Sequence, residues 1–456
     1  DGAAGLHRAL PRLLLRLMMT PRPDSVSDPT GNPYASAPAP AVAGTGTPPP
    51  APTTPSTSIR YIAPDLARGL ALLGIALANI PTAWVSSEGA DLGGFFGGIF
   101  GEASIWESIA VLFHAMFIHV RGLPLFTTLL GFGVGLITMS LWRRGFPPGS
   151  ARKVLWRRYG VLAIIGVLHL VFIFFGDIIV QYSLLALILI AMITLKDRTL
   201  MIIAWVLLGI VVVGSLVGGV GVSFFPEFAD VPSMYGVSEY TSYLDYVTFN
   251  AMALGASVAS IPIVAVMLGP LMIIGFVWAR RGVLTDVETH RRMLTGWVIV
   301  GAAVVLLIGL PWGLAALGIL PAEWELPLII MNTGVGLLTG PAALALVALL
   351  FPGTSDTLNP GLRAFVALGR RSMSGYILQS ILLVFITQPF ALNFGASQGI
   401  LPLMALGFGV WLITLIWAYV WDLLGWPGPI EWIHRRLSYG RDGLPAAYRA
   451  KELTAS

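Results

Sequence analysis

From residue 60 onward the chain is a succession of apolar runs, each near the length that covers a lipid bilayer. A helix needs about 20 apolar residues to cross the hydrocarbon. Only helices and closed barrels satisfy their backbone polar groups there. On that ruler the sequence predicts spans near 66–85, 122–142, 157–176, 178–195, 199–221, 250–279, 294–318, 326–351, 366–390 and 399–424. Residues 105–120, IWESIAVLFHAMFIHV, form a run whose role length alone leaves open. Composition agrees: 56% of residues are hydrophobic and 11% charged, where soluble domains carry about 25% charged. The expected fold class is an all-α polytopic membrane protein.

Loop charge orients the spans. Residues 143–158 (with Arg143, Arg144, Arg152, Lys153, Arg157 and Arg158), 196–198, 280–292, 363–371 and the stretch after Trp432 are basic. Residues 81–104, 222–246 and 319–325 hold carboxylates and neither Lys nor Arg. Basic loops stay in the cytoplasm, so residues 105–142 must cross an odd number of times. Residues 122–142 make that crossing, which leaves 105–120 interfacial or re-entrant. About ten transmembrane helices result, with interfacial helices beside them and both termini cytoplasmic. Gly131, Gly133 and Gly135 would let their helix pack closely on a neighbour.

Three regions follow: residues 1–59, the membrane domain 60–442, and a cytoplasmic tail 443–456. Pro, Ala, Ser and Thr dominate residues 20–58, which predicts disorder. Residues 5–19 carry Arg8, Arg12 and Arg16 at helical spacing among leucines. They read either as a basic amphipathic helix on the membrane surface or as sequence upstream of a start at Met18 or Met19. The chain has no cysteine, so disulfide and thiolate chemistry are excluded. Its basic residues are split among short loops, which argues against nucleic-acid binding.

The polar residues at depth are few. Residues 153–186, KVLWRRYGVLAIIGVLHLVFIFFGDIIVQYSLLA, place His169 and Asp177 in a bilayer-length apolar segment, where ionisable groups are costly. They read either as a packing histidine and a wet turn, or as a general base oriented by a carboxylate near the outer surface. Asp65 and Arg68 share a face of the first span, as do Arg68 and Asn79; an ion pair and a polar helix cap explain them equally well. His114 and His119 are five apart and do not share a face, so no metal site is indicated. Arg157, Arg158, Arg370, Arg371, Arg435 and Arg436 crowd the basic face. They read as plain topology signals or as a site for an anionic phosphate-bearing donor.

Several stretches together resemble the YeiB family of bacterial inner-membrane proteins: RGLALLGIALANI (68–80), PLFTTLLGFGVG (124–135), RRYGVLAIIGVLHLVFIFFGDIIVQYSL (157–184), LGPLMIIGFVWARRG (268–282), GRRSMSGYILQS (369–380) and GPIEWIHRRLSYGR (428–441). That family is similar in turn to the transmembrane acyltransferases that include heparan-glucosaminide N-acetyltransferase. The resemblance implies a multi-pass protein of the bacterial inner membrane. It would move an acyl group from cytoplasmic acyl-CoA, acetyl-CoA for example, to an extracytoplasmic hydroxyl or amine of an envelope glycolipid. Arg68 and Asn79 match the arginine and asparagine of the first-span motif. Related acyltransferases can carry a histidine where Asn79 stands, which makes His169 the favoured base. The implied roles are His169 as base, Asp177 fixing its tautomer, Asn79 as oxyanion donor, and Arg68, Arg157, Arg158, Arg370 and Arg371 holding the acyl-CoA. A transporter or lipid-handling protein without chemistry is the alternative, and a structural partner of an envelope assembly is a third reading. Oligomeric state is silent in the residues; a homo-oligomer is compatible with them.

Overall fold

In the computed structural model the structure describes residues 61–85, 89–225, 240, 242–353, 358–395 and 398–448. The expected tail helix at 5–19, the rest of the N-terminal tail and residues 449–456 lie outside them. Every regular element among the described residues is helical. In chain order these are α1 (Ile62–Asn79), α2 (Ile105–Phe113), α3 (Gly122–Arg143), α4 (Pro148–Phe172), α5 (Ile179–Ala191), α6 (Asp197–Phe224), α7 (Tyr243–Ala259) and α8 (Ile261–Arg280). There follow α9 (Arg291–Val304), α10 (Leu310–Ala316), α11 (Glu325–Val335), α12 (Thr339–Leu350), α13 (Pro360–Arg370), α14 (Ser372–Thr387), α15 (Ile400–Leu423) and α16 (Pro429–Tyr439).

Among the described residues, eight continuous segments are long and apolar enough to cross a membrane: Ile62–Trp84, Ile105–Arg143, Pro148–Phe172, Asp197–Phe224, Ile261–Arg280, Arg291–Ala316, Ala322–Leu350 and Ile400–Leu423. The shorter apolar helices Ile179–Ala191 and Ser372–Thr387 stand where the sequence predicts two further spans. Two breaks divide expected spans. The span expected over 250–279 is two helices parted at Ser260, because α8 opens on Pro262, which brings no N–H to the preceding turn. The span expected over 366–390 is parted at Arg371, whose guanidinium is drawn to Asp422 and the Trp426 carbonyl.

Residues 105–120 show why length left them open. A capping box, Ser104 with Glu107, starts α2. A wide π-type turn over His114–Ile118 ends it, and the helix is broken at Val120, a non-glycine residue with φ of 54°. Arg121 is buried just beyond. It donates to the carbonyl of Met116 at 3.0 Å and to Oδ1 of Asn332 at 3.0 Å. A helix that stops inside the bundle leaves unpaired carbonyls and the negative end of its dipole. The guanidinium answers both, which is why a cation stands there.

The tightest crossing is α3 on α8. A Cβ at Gly131 would run into the Met272 carbonyl, and one at Gly275 into the Thr128 carbonyl. Gly135 meets Ala279 on the same face. Gly133, two residues from each, points instead toward Arg68, 3.7 Å from where its Cβ would stand. The glycine run therefore does two things: one face packs helix on helix, and the other opens space.

Candidate functional site

That space is a cavity of about 360 Å³ between α1, α3, α4, α5 and α14. Asp65, Arg68, Arg158, Arg370, Glu431 and His434 form its polar end. Phe126, Leu130, Leu162 and Ile179 line its apolar part, which reaches Tyr182 and Tyr376.

The arginines of the polar end are set by short-range geometry. Arg68 Nη1 lies 3.1 Å from Asp65 Oδ1, the one-turn pair expected on α1. Arg370, at the end of α13, stands 3.6 Å from the other oxygen of Asp65 and 3.8 Å from Asp422. α13 reaches α1 because a glycine, Gly369, stands against the Asp65 carbonyl. Arg158 donates to the Tyr439 hydroxyl at 3.1 Å, with its guanidinium carbon 5.5 Å from that ring. It makes no ion pair with another described residue.

Beyond the wall at Ile178, Ile179 and Tyr376 lies the buried pair. His169 Nδ1 is 2.7 Å from Asp177 Oδ1, and Asp177 Oδ2 accepts from the Val180 N–H at 2.8 Å. With the proton on Nδ1, Nε2 carries the lone pair. That nitrogen is buried and has no hydrogen-bond partner among the described residues. The imidazole ring is 5.1 Å from the ring of Tyr376, which lines the cavity.

Asp177 departs from the expected exposed turn, being only 3% exposed. Trp84 stacks on Phe174 at 4.4 Å. The hydroxyls of Tyr243 and Tyr246 and the amide of Asn250 donate to the carbonyls of Phe172, Ile173 and Val171. α7 thus packs beside the 173–177 turn, with Phe249 against Phe175, and pairs the carbonyls of residues 171–173.

The other expected site residues separate. Arg68, Arg158 and Arg370 line the cavity; Arg157 and Arg371 do not. Arg157 is exposed and donates to the Leu437 carbonyl at 3.0 Å. Arg371 is a buried strut, holding the Trp426 carbonyl at 2.6 Å and Asp422 at 3.1 Å. Asn79 lies one turn beyond Ile75, half-buried and outside the cavity lining, with no hydrogen bond from its side chain to another described residue. Among the described residues no cluster of three His, Asp or Glu side chains could hold a metal ion.

Two residues that the sequence did not single out belong to the polar end, both from α16. Glu431 accepts from the N–H groups of Met373 (2.8 Å) and Ser374 (3.2 Å) and from the Ser374 hydroxyl at 2.5 Å, so it caps the start of α14. Burial pushes its carboxyl above the ordinary range, against the pull of those hydrogen bonds. His434 Nε2 donates to the Arg158 carbonyl at 2.9 Å. The available signal was spacing: three apart after a helix-opening Pro429, the two side chains share one face of α16.

Burial, then the nearby Arg158 charge, lower the His434 pKa to about 4. The fold therefore holds this ring neutral, while the unfolded chain protonates it near 6.5. A depressed folded pKa gives a contribution to stability that is present above about 6.5 and is lost as pH falls toward about 4. The melting temperature of His434→Gln is expected to depend less on pH across that window than that of the parent. Parallel melting curves for the two proteins would reject the assignment.

Residues 278–441 match the family model described as "Protein of unknown function (DUF418)". Over 403 residues the chain is 26% identical to "Uncharacterized protein YeiB" of Escherichia coli (strain K12), spanning 83% of this chain and 96% of that protein. Over 405 residues it is 23% identical to "Uncharacterized protein YxaH" of Bacillus subtilis (strain 168), spanning 82% and 93%. No solved structure matches it. The family model covers Arg370, Tyr376, Glu431 and His434, whereas Arg68, Arg158 and His169 precede the residues it matches. Both alignments run nearly the full length of the relatives, and the chain is a multi-pass membrane protein similar over most of its length to YeiB and YxaH.

Proposed function

We propose that the protein is a membrane-embedded acyltransferase that takes an acyl group from acyl-CoA at its basic face, the cytoplasmic side of a bacterial inner membrane, and passes it to a hydroxyl or amine of an envelope glycolipid. One observation carries this reading: a single cavity runs from three arginines to the wall behind which an oriented, unpartnered imidazole nitrogen is buried. At about 360 Å³ the cavity is at the small end of ligand pockets, roughly 300–1,000 Å³. It suits the acyl-bearing arm of the donor, with the nucleotide and its phosphates left at the mouth. Arg158 is the first choice for a phosphate, because Arg68 and Arg370 already face Asp65.

In this scheme His169 Nε2 takes the proton of the acceptor hydroxyl as its oxygen attacks the thioester carbonyl. The C–S bond then breaks, and the leaving thiolate recovers the proton from the imidazolium. Asp177 holds Nδ1–H and steadies the charge that forms on the ring. The Trp84–Phe174 stack and α7 close the far side, so an outward-facing acceptor reaches His169 only when that seal opens. Asn79 has no role in the scheme, since it lies outside the cavity lining.

Purified protein, radiolabelled acetyl-CoA and a bacterial lipid extract test the reading. Release of free CoA with transfer of label to lipid is expected. Arg158→Gln should raise the KM for acetyl-CoA about tenfold, the size of one lost charge-assisted contact. A parent protein that neither binds nor turns over acetyl-CoA would sink the proposal.

A further inference from the structure

Arg435 and Arg436, which the sequence places with the other basic-face arginines, face away from the cavity just described. They are exposed on α16 and converge with Arg441 and Trp432 on a separate cleft of about 240 Å³. None of the three guanidinium groups makes an ion pair or hydrogen bond with another described residue. Arg436 stands over the Trp432 ring at 5.4 Å. Asp442 also lines the cleft, so three cations meet one carboxylate there. The chain turns around it at Gly440 and Gly443, whose φ values of 82° and 73° suit glycine.

The apolar surface beside the cleft says what kind of partner reaches it. Trp432, Ile433 and Leu437 are exposed on α16, and Leu423, Leu424 and Trp426 are exposed where α15 ends. Exposed apolar side chains at the end of the membrane-spanning α15 and again on α16, just after it in sequence, suit α16 to the depth where hydrocarbon gives way to headgroups. Indole rings and arginines are the side chains suited to that depth.

We infer that the cleft of Arg435, Arg436 and Arg441 binds the phosphodiester headgroup of an anionic phospholipid, with its acyl chains along Trp432, Ile433 and Leu437. Charge complementarity of the three guanidinium groups, unpaired among the described residues, and the exposed apolar side chains beside them on α16 are the grounds. The site also has a mechanical link to the cavity. α16 carries Glu431, which caps α14, and His434, while Arg157 and Arg158 hold it through the Leu437 carbonyl and the Tyr439 hydroxyl. A lipid bound on the outer face of α16 therefore braces a wall of the cavity on its inner face.

The full-length protein is placed in nanodiscs of phosphatidylcholine, alone or doped with phosphatidylglycerol. Lipid retention is read by native mass spectrometry and melting temperature by intrinsic fluorescence. The parent is expected to retain phosphatidylglycerol selectively and to melt higher in the doped discs. R435Q/R436Q/R441Q should lose that preference by about tenfold or more while melting as the parent does in phosphatidylcholine alone. R441Q, which lies beyond α16 and leaves that helix intact, should lose part of the preference, so the test survives poor folding of the triple variant. R143Q/R292Q, which removes two exposed arginines elsewhere on the basic face, should keep it. An equal loss in R143Q/R292Q, an undiminished preference in the triple variant, or full reproduction of the effect by inorganic phosphate would each overturn the inference.

Discussion

His169→Ala is expected to abolish acyl transfer, by about 10²–10⁴-fold as for other general bases, while the protein still inserts and retains its helix content. The imidazole is buried against Phe174 and Tyr376, so its removal also costs packing. His169→Gln separates the two effects, since it refills most of the volume without a base. Asp177→Asn is expected to lower the rate as well, because its amide would no longer be an obligate acceptor for Nδ1–H. A merely structural pair would give variants that lose stability and activity together. Full transfer activity in a well-folded His169→Ala protein would remove this residue from the chemistry.

The largest effect on stability is expected at Gly131 and Gly275. Alanine in place of glycine inside a helix normally gains about 1 kcal/mol. Here the added methyl meets a backbone carbonyl of the facing helix, which has no rotamer with which to yield. Overpacking of this kind costs about 1–3 kcal/mol, and more where the backbone itself must move. The clash wins, and Gly131→Ala or Gly275→Ala should melt well below the parent in detergent. Gly133→Ala is the internal control, since only Arg68 is near its Cβ position and at an ordinary contact distance. It should melt at or slightly above the parent. A neutral Gly131→Ala would show that α3 and α8 are not in close contact.

The elements that were legible in the sequence were those governed by bulk transfer. Runs of apolar residues mark the spans whatever their neighbours are, and the spacing of Gly131 and Gly135 marks a crossing face. The break at Ser260 follows from Pro262 alone, whereas the break at Arg371 was less visible because an apolar run does not reveal where a polar partner from another helix will reach in. Arg371 illustrates this: in the sequence it is one of a pair of arginines, and only the distant Asp422 and Trp426 distinguish it from Arg370. His169 and Asp177 stood out as expensive polar groups in an apolar stretch. What spacing could not show was that α7 would pack beside their turn. Glu431 and His434 were harder still, because a short amphipathic helix with arginines looks like surface until its other face is seen against α4 and α14.

The two oxygens of Asp177 serve different masters. One holds His169 and the other accepts the Val180 N–H that opens α5. Correct seating of a helix and correct aim of a base thus hang on a single carboxylate. Any state in which α5 has come away from α4 also leaves the imidazole free to turn. Integrity of assembly and readiness for chemistry are interlocked, so a loosely folded copy is disarmed by its own looseness.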